Sequence, residues 1–141
     1  MKFEFSAGGV VFKVENDTIL ILVAQHSYHH GWVFPKGLIG DSIKGEKKEA
    51  TAIREVEEET GARAEIIEAI APVTYWYNFD GQKIKKTVYY FVMKYVSGDI
   101  TKHDFEMENV EWVEMDKVLE KLTYKSDKEV FMKAEPVIRS L

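Results

Sequence analysis

Apolar residues gather along this chain in short runs of strand length, separated by turn residues, with three helical stretches among them. Phe5 to Val14 is mostly apolar and holds the pair Gly8-Gly9. Such a run predicts a strand, and the glycines predict a bulge inside it. Thr18 to Ala24 (TILILVA) reads as a strand of the buried type. Glu15-Asn16-Asp17 supplies turn chemistry between the two. His26 to Trp32 is polar and aromatic and predicts a loop. From about Lys47 to Thr60 the period becomes helical, with Ala52, Ile53 and Val56 expected on the core side. Ala64 to Tyr77 predicts one long or bent strand, Asp80-Gly81 a hairpin turn, and Lys86 to Tyr95 (KTVYYFVMKY) the returning strand. Val110 to Val113 is a short strand, and Asp116 opens a helix through Leu122. Ser126-Asp127-Lys128-Glu129 has the form of a capping box for a last helix, which Pro136 should bend or end.

Strands outnumber helices, and the helices flank the strand clusters. That order predicts an α+β fold, layered with a mixed sheet. The length of 141 residues fits one domain over 1–141, and 45% hydrophobic content is enough for a core. No repeat or low-complexity linker interrupts it. No run of 18 apolar residues occurs, so no membrane span is expected, and the first residues do not resemble a secretion signal. The absence of cysteine removes disulfides, zinc–thiolate sites and thiol nucleophiles. A cytoplasmic setting is compatible with this. With a net charge of −5, general affinity for a nucleic-acid backbone is not expected. Any binder of polyphosphate on this chain must gather positive charge locally, or use metal.

The candidate chemistry lies in Arg54-Glu55-Val56-Glu57-Glu58-Glu59-Thr60-Gly61. A helix brings positions i, i+3 and i+4 together, so Glu55, Glu58 and Glu59 share one patch. Like charges so placed repel, and a divalent cation would relieve them. Oxygen-only ligands suit Mg²⁺ or Mn²⁺. A bare acidic string on a helix is more often a solvated face. The surroundings argue otherwise: Gly61 is the residue preferred at a helix C-terminus, Gly45-Glu46 stands just upstream, and Phe34-Pro35-Lys36-Gly37 lies before that. Glu46, at the helix start, is an outer ligand or a cap.

The segment from Gly40 to Ala62 reads G-x5-E-x7-R-E-V-x-E-E-x-G-A. It resembles the signature of the Nudix hydrolases, which cleave nucleoside diphosphates linked to another moiety. The resemblance implies an α/β/α sandwich with a mixed sheet. It makes Glu58 and Glu59 metal ligands, and Glu55 a ligand or the base that activates water. Arg54 would orient a carboxylate one turn away. Gly37 and Gly45 are separated by a loop three residues longer than the common form, Leu38 to Lys44. Gly37 is then the better candidate for the backbone carbonyl the family gives to its metal. Some members add an acid from a later loop; Glu106 is the candidate, with Asp104 and Glu108 as competitors.

Several fragments look like the asymmetric dinucleoside tetraphosphate hydrolases: Phe5-Ser6-Ala7-Gly8-Gly9, His30-Gly31-Trp32-Val33-Phe34-Pro35-Lys36-Gly37, and Lys86-Thr87-Val88-Tyr89-Tyr90. The spacing of Glu106 from Trp112 and the pair Tyr124-Lys125 fit as well. That resemblance implies phosphate contact by Lys86 and adenine stacking by Tyr77 or Tyr89. Lys36, as a point charge in its turn, and His30 before it are the further phosphate candidates. Lys83 and Lys85, in the same hairpin as Lys86, are placed to add contacts. The expected reaction is Mg²⁺-dependent hydrolysis of diadenosine tetraphosphate to ATP and AMP, the partner being a small nucleotide. Two alternatives stay open: another Nudix substrate (a nucleoside triphosphate, ADP-ribose or an RNA 5′ end), or a module that binds nucleotide without cleaving it. The sequence leaves the oligomeric state open.

Overall fold

A computed structural model describes residues 1–141. Eight strands form one mixed sheet: β1 (Lys2–Glu15), β2 (Thr18–His26), β3 (Trp32–Val33), β4 (Lys36–Leu38), β5 (Ala62–Ala69), β6 (Val73–Phe79), β7 (Gln82–Gly98) and β8 (Met107–Glu114). The helices are α1 (Lys48–Thr60), α2 (Val118–Lys121) and α3 (Lys125–Arg139). No helix is long and apolar enough to cross a membrane.

The longest strands, β1 and β7, run parallel at the centre of the sheet, in unbroken register from Lys2 opposite Ile84 to Phe12 opposite Lys94. Every other pairing is antiparallel. Alternation along each strand sends side chains to two cores. Val10, Phe12, Ile21, Val23, Val88, Tyr90 and Val92 meet α2 and α3 through Val118, Leu122, Val130, Phe131 and Ala134. Ala7, Val11, Leu22, Phe91 and Met93 meet Ala52 and Val56 of α1. The result is the expected α+β architecture, an α/β/α sandwich.

Several expectations need correction. The pair Gly8-Gly9 makes no bulge, since β1 keeps its register with β7 throughout. The glycines instead let the chain before β4 come close: Gly9 N–H donates to Pro35 O at 3.2 Å. A Cβ on Gly8 would stand 2.1 Å from that carbonyl oxygen. Ala64 to Tyr77 is two strands, not one. Both lie against β7, and Ile70–Pro72 is the break; Pro72 has no N–H to offer the ladder. Ile53 does not face the core and is 39% exposed. The last helix begins without the capping box: Tyr124 is its N-cap and makes no side-chain cap. Asp127 is buried and accepts from Phe34 N–H at 3.2 Å, tying α3 to the turn before β4. Pro136 does not end α3, which runs on to Arg139. Residues after Asp116 form only a short helix, α2, behind a 3₁₀ turn over Met115–Lys117. The turns at Asn16-Asp17 and Asp80-Gly81 stand as expected, each with two residues at positive φ, as tight hairpins require.

Candidate active site

Helix α1 ends at Gly61, which adopts the left-handed conformation and lets the chain turn directly into β5. The helix lies across the sheet with Ala52 and Val56 beneath it, which fixes the rotation of its other faces. Thr51, Glu59 and Thr60 are buried as well. The three acids of the patch therefore differ in environment. Glu59 points inward and is only 2% exposed, while the Glu58 side chain is 43% exposed. Glu55 lies between, against β4.

Arg54 gathers this cluster. Its Nε donates to Glu46 Oε2 at 3.0 Å and its Nη2 to Glu46 Oε1 at 2.9 Å. Its Nη1 donates to Glu55 Oε1 at 2.9 Å and to Glu58 Oε2 at 2.8 Å. Thr51 Oγ1 donates to the same Glu46 carboxylate at 2.7 Å. The N-cap of α1 is Lys47, with no side-chain cap, so of the two roles considered for Glu46, outer ligand or cap, the cap is not taken up; Glu46 seats the guanidinium. These hydrogen bonds hold the Glu46 carboxyl below the usual range and push the arginine further up. Arg54 thus bonds three carboxylates rather than the single one expected: Glu46 holds it, and its Nη1 reaches Glu55 and Glu58.

Gly37 stands directly against Glu55. A Cβ there would be 2.1 Å from both Cδ and Oε2 of Glu55, so only glycine fits while the carboxylate keeps its place. The next residue back, Lys36, offers its backbone N–H to Glu59 Oε1 at 3.4 Å. Burial raises the Glu59 pKa well above the ordinary value, with the adjacent Glu55 adding a hydrogen bond and repulsion and Lys36 opposing them.

Glu106 approaches from the far side. Ser27 Oγ donates to Phe105 O at 2.6 Å and Asp104 N–H donates to Glu58 O at 2.9 Å, so the loop before β8 is stitched to both β2 and α1. Burial, then Asp104, Glu55 and Glu58, raise the Glu106 pKa. Its two competitors are occupied: Asp104 Oδ1 accepts the Glu106 N–H at 3.0 Å, and Glu108 pairs with His30.

The phosphate candidates divide. Gly8 lies opposite Lys36 in β4, and Glu4 opposite Lys86 in β7. Both lysines therefore project from the α3 side of the sheet, their partners four residues apart along β1. Lys86 is partly buried, and burial and then the charge of Lys36 lower its pKa. Tyr75 pairs with Lys86 and Tyr77 with Ile84, which puts both rings on that face; their centroids are 6.3 Å apart. The Tyr77 hydroxyl donates to Glu4. Burial and that partner push its phenol up to about 12.

Tyr89 belongs to the other face. Partly buried, it packs against the core under α1 with Lys48 Nζ 5.0 Å from its ring centre, on the opposite face of β7 from Lys86. Alternation also places Lys83 and Lys85 opposite Lys86. His30 turns outward at positive φ and its ring pairs with Glu108. The histidines that feel Lys36 are His26 and His29, stacked at 4.2 Å with pKa values lowered by burial first. Tyr124 OH bonds His29 Nδ1 at 2.9 Å. Sequence reasoning gave no site role to Glu4, His26 or Asp127. The register of β1 with β7 finds Glu4, but only once the parallel pairing is known.

No three acids or histidines stand together as a ready-made ion cage, because Arg54 occupies the space between Glu55 and Glu58. The donor chemistry nevertheless fits a hard divalent cation. The available groups are carboxylate oxygens and a carbonyl, and Glu59 is a buried acid beside a second acid, an arrangement that a cation relieves.

The NUDIX domain family model matches residues 2–134. The chain belongs to the Nudix family. It is 36% identical over 110 residues to MutT4, named as a mutator protein, of Mycobacterium tuberculosis, covering 78% of this chain and 43% of that protein. It is 36% identical over 90 residues to the asymmetrical bis(5′-nucleosyl)-tetraphosphatase of Rattus norvegicus, covering 62% of this chain and 58% of that protein. The chain thus spans less than two thirds of the length of these curated relatives. A crystal structure of a C. elegans Ap4A hydrolase binary complex superposes with a TM-score of 0.74 at 26% identity, covering 98% of this chain and 99% of that one. The NUDIX domain of Shewanella oneidensis NrtR, complexed with ADP ribose, shares the fold with a TM-score of 0.77 at 20% identity.

Proposed function

We propose that residues 1–141 form one catalytic domain, a Mg²⁺-dependent pyrophosphohydrolase that splits diadenosine tetraphosphate into ATP and AMP. The observation that carries this reading is a juxtaposition: Lys36, Lys86 and Tyr77 share one face of β1–β7, and the backbone N–H of Lys36 reaches Glu59 of the acidic helix. The similarity to the rat tetraphosphatase and the C. elegans Ap4A hydrolase supports the same substrate class.

Glu55, Glu58, Glu59 and the carbonyl of Gly37 would hold the cation, with Glu106 as a further acid. When bound, it supplies charge neutralisation for a polyphosphate and lowers the pKa of water. Lys36 and Lys86 bind the phosphate chain from the sheet side. Their charge offsets the oxygens that repel an incoming nucleophile. Tyr77, held at its hydroxyl by Glu4, presents its ring to an adenine. Arg54, seated on Glu46, fixes the directions of Glu55 and Glu58. Glu55 takes the proton as the water oxygen bonds to phosphorus; the anhydride P–O bond breaks and its electron pair leaves with the departing phosphate.

A nucleoside triphosphate is the second reading, favoured by the similarity, 29% identity over 113 residues, to a protein of Mycolicibacterium smegmatis named as an 8-oxo-(d)GTP phosphatase. Purified protein with Mg²⁺ and a panel of diadenosine tetraphosphate, nucleoside triphosphates and ADP-ribose decides between them. The proposal expects diadenosine tetraphosphate to give the highest kcat/KM, with ATP and AMP as products. Faster turnover of another member of the panel rejects it.

A further inference from the structure

The lysines excluded from the cleft define a second surface. On the α1 side of the sheet, β7 presents Lys83, Lys85 and Thr87 in one row. Trp76 lies opposite Lys85 on β6, and Phe3 and Phe5 lie opposite Lys85 and Thr87 on β1. All of these therefore share one face. Helix α1 covers this face only from Ala7 onward. Beyond it Phe3 is 54% exposed, Phe5 48% and Trp76 48%. Lys83 and Lys85 place their ammonium groups 4.8 and 5.5 Å from the Trp76 ring centre. The rows contain no carboxylate, on a chain that carries 24 Asp and Glu. A large aromatic patch left open, with positive charge only, is not an ordinary solvated face.

We propose that this face of β1, β7 and β6 is a binding platform for a single-stranded oligonucleotide. The chemistry required is a flexible anionic backbone with flat faces to stack. Phe3 and Phe5 are two residues apart, about 7 Å along the strand, a spacing that matches successive unstacked bases. Trp76 and Phe3 flank Lys85 from neighbouring strands, about 10 Å apart across the sheet. Exposed aromatics on a sheet take bases by stacking, without regard to sequence, and lysines between them follow the phosphates. A rigid duplex hides its base faces and cannot use the aromatics. A second copy of this chain, docked face to face, would bring Lys83 and Lys85 against their own equivalents. The platform is also continuous with the candidate active site. Ala7, the next residue of the Phe3–Phe5 row, pairs with Gly37, which abuts Glu55. The proposal does not depend on which nucleotide is hydrolysed there.

Fluorescence anisotropy of labelled strands about twelve nucleotides long tests it, within the range of site sizes of single-strand binders. Oligo(A) RNA, oligo(dT) DNA and a duplex of equal length form the arms. The expected result is saturable binding of both single strands, weaker binding of the duplex and quenching of tryptophan emission. Lys83→Glu with Lys85→Glu should weaken binding at least tenfold and, on losing two phosphate contacts, reduce the salt slope by about 1.4. Its hydrolysis of small nucleotides should stay unchanged, which shows that the variant is folded. The milder Lys83→Gln/Lys85→Gln pair should fall between. Binding by RNA alone identifies the 2′-hydroxyl as part of the recognition and keeps the platform. Failure of both strands to bind, or equal binding by the variant, overturns the proposal. So does dimerisation in light scattering that the variant abolishes, or capture by phosphatidylserine vesicles in place of oligonucleotide.

Discussion

The Arg54 guanidinium is clasped by the Glu46 carboxylate through two of its nitrogens, at 3.0 Å from Nε and 2.9 Å from Nη2. This leaves Nη1 alone to hold Glu55 and Glu58. The direction of the arginine is thus set from behind, by an acid eight residues earlier in the chain. Glu46→Gln keeps the shape but weakens charge-assisted hydrogen bonds. We expect kcat to fall about tenfold or more while KM moves little, and urea unfolding to show a loss of about 1–2 kcal/mol. Unchanged kcat would show that Arg54 needs no support from Glu46.

Glu55→Gln and Glu58→Gln remove a proton acceptor and a cation ligand. Loss of a positioned acid or base costs about 10²- to 10⁴-fold, so both variants should be nearly inactive. Mg²⁺ should raise the melting temperature of the wild type, since a ligand bound only to the folded state stabilises by about 2.7 kcal/mol at a hundred times its Kd. The rise should shrink in either variant. A wild-type melt indifferent to Mg²⁺ contradicts the assigned cation site.

Glu59 sets a pH dependence of stability in the metal-free protein. Its folded pKa is raised, chiefly by burial and then by Glu55. A raised pKa means that the folded state favours the protonated acid. That contribution is full below the unfolded carboxylate range and is lost as pH rises through the folded value. Melting temperature without metal should therefore decline as pH rises above the unfolded carboxylate range toward the raised folded value. Glu59→Gln should flatten the decline and melt higher than wild type at pH 8. A variant that melts lower there, with the slope retained, assigns the dependence to another group.

Gly37→Ala introduces a methyl where Glu55 already stands. Glu55 must move, and a displacement of about 1 Å costs on the order of a hundredfold in rate. The variant should lose activity while its melting temperature changes by only a few degrees. Retention of wild-type kcat would place the working position of Glu55 elsewhere.

Lys86 and Tyr89 test the two faces of β7. Lys86→Gln removes a charged hydrogen bond to phosphate worth about 1.5–3 kcal/mol, so KM should rise about tenfold or more. Tyr89→Phe should leave KM unaltered, because its ring lies under α1. A matching rise in KM for both would refute the division of the cleft.

The periodicity of single strands and helices was legible in the chain: the acidic helix, both hairpin turns and the layered α+β order follow from local spacing. What was not legible depends on pairing between distant segments. The parallel match of β1 with β7 decides that Glu4 meets Lys86, and nothing near residue 4 announces it. The capping-box pattern at Ser126 misled because α3 has already begun at Lys125, with Tyr124 as its N-cap, and Asp127 serves Phe34 instead. Ile53 was assigned to the core by helical period alone, yet the helix needs only Ala52 and Val56 to seat it. Tyr77 and Tyr89 are separated by the hairpin register, which sets Tyr77 opposite Ile84 on the Lys86 face, while Tyr89, three residues from Lys86 on one strand, points the other way.

The β7 strand has two tenants. Its second half, from Phe91, pairs with β5 beneath the acidic helix, while its first half carries the β6 hairpin with Lys86, Tyr77 and the aromatic patch. A substitution in the hairpin therefore leaves the pairing beneath α1 untouched, so the two halves of β7 can be altered separately. The break at Ile70–Pro72 is the seam between them.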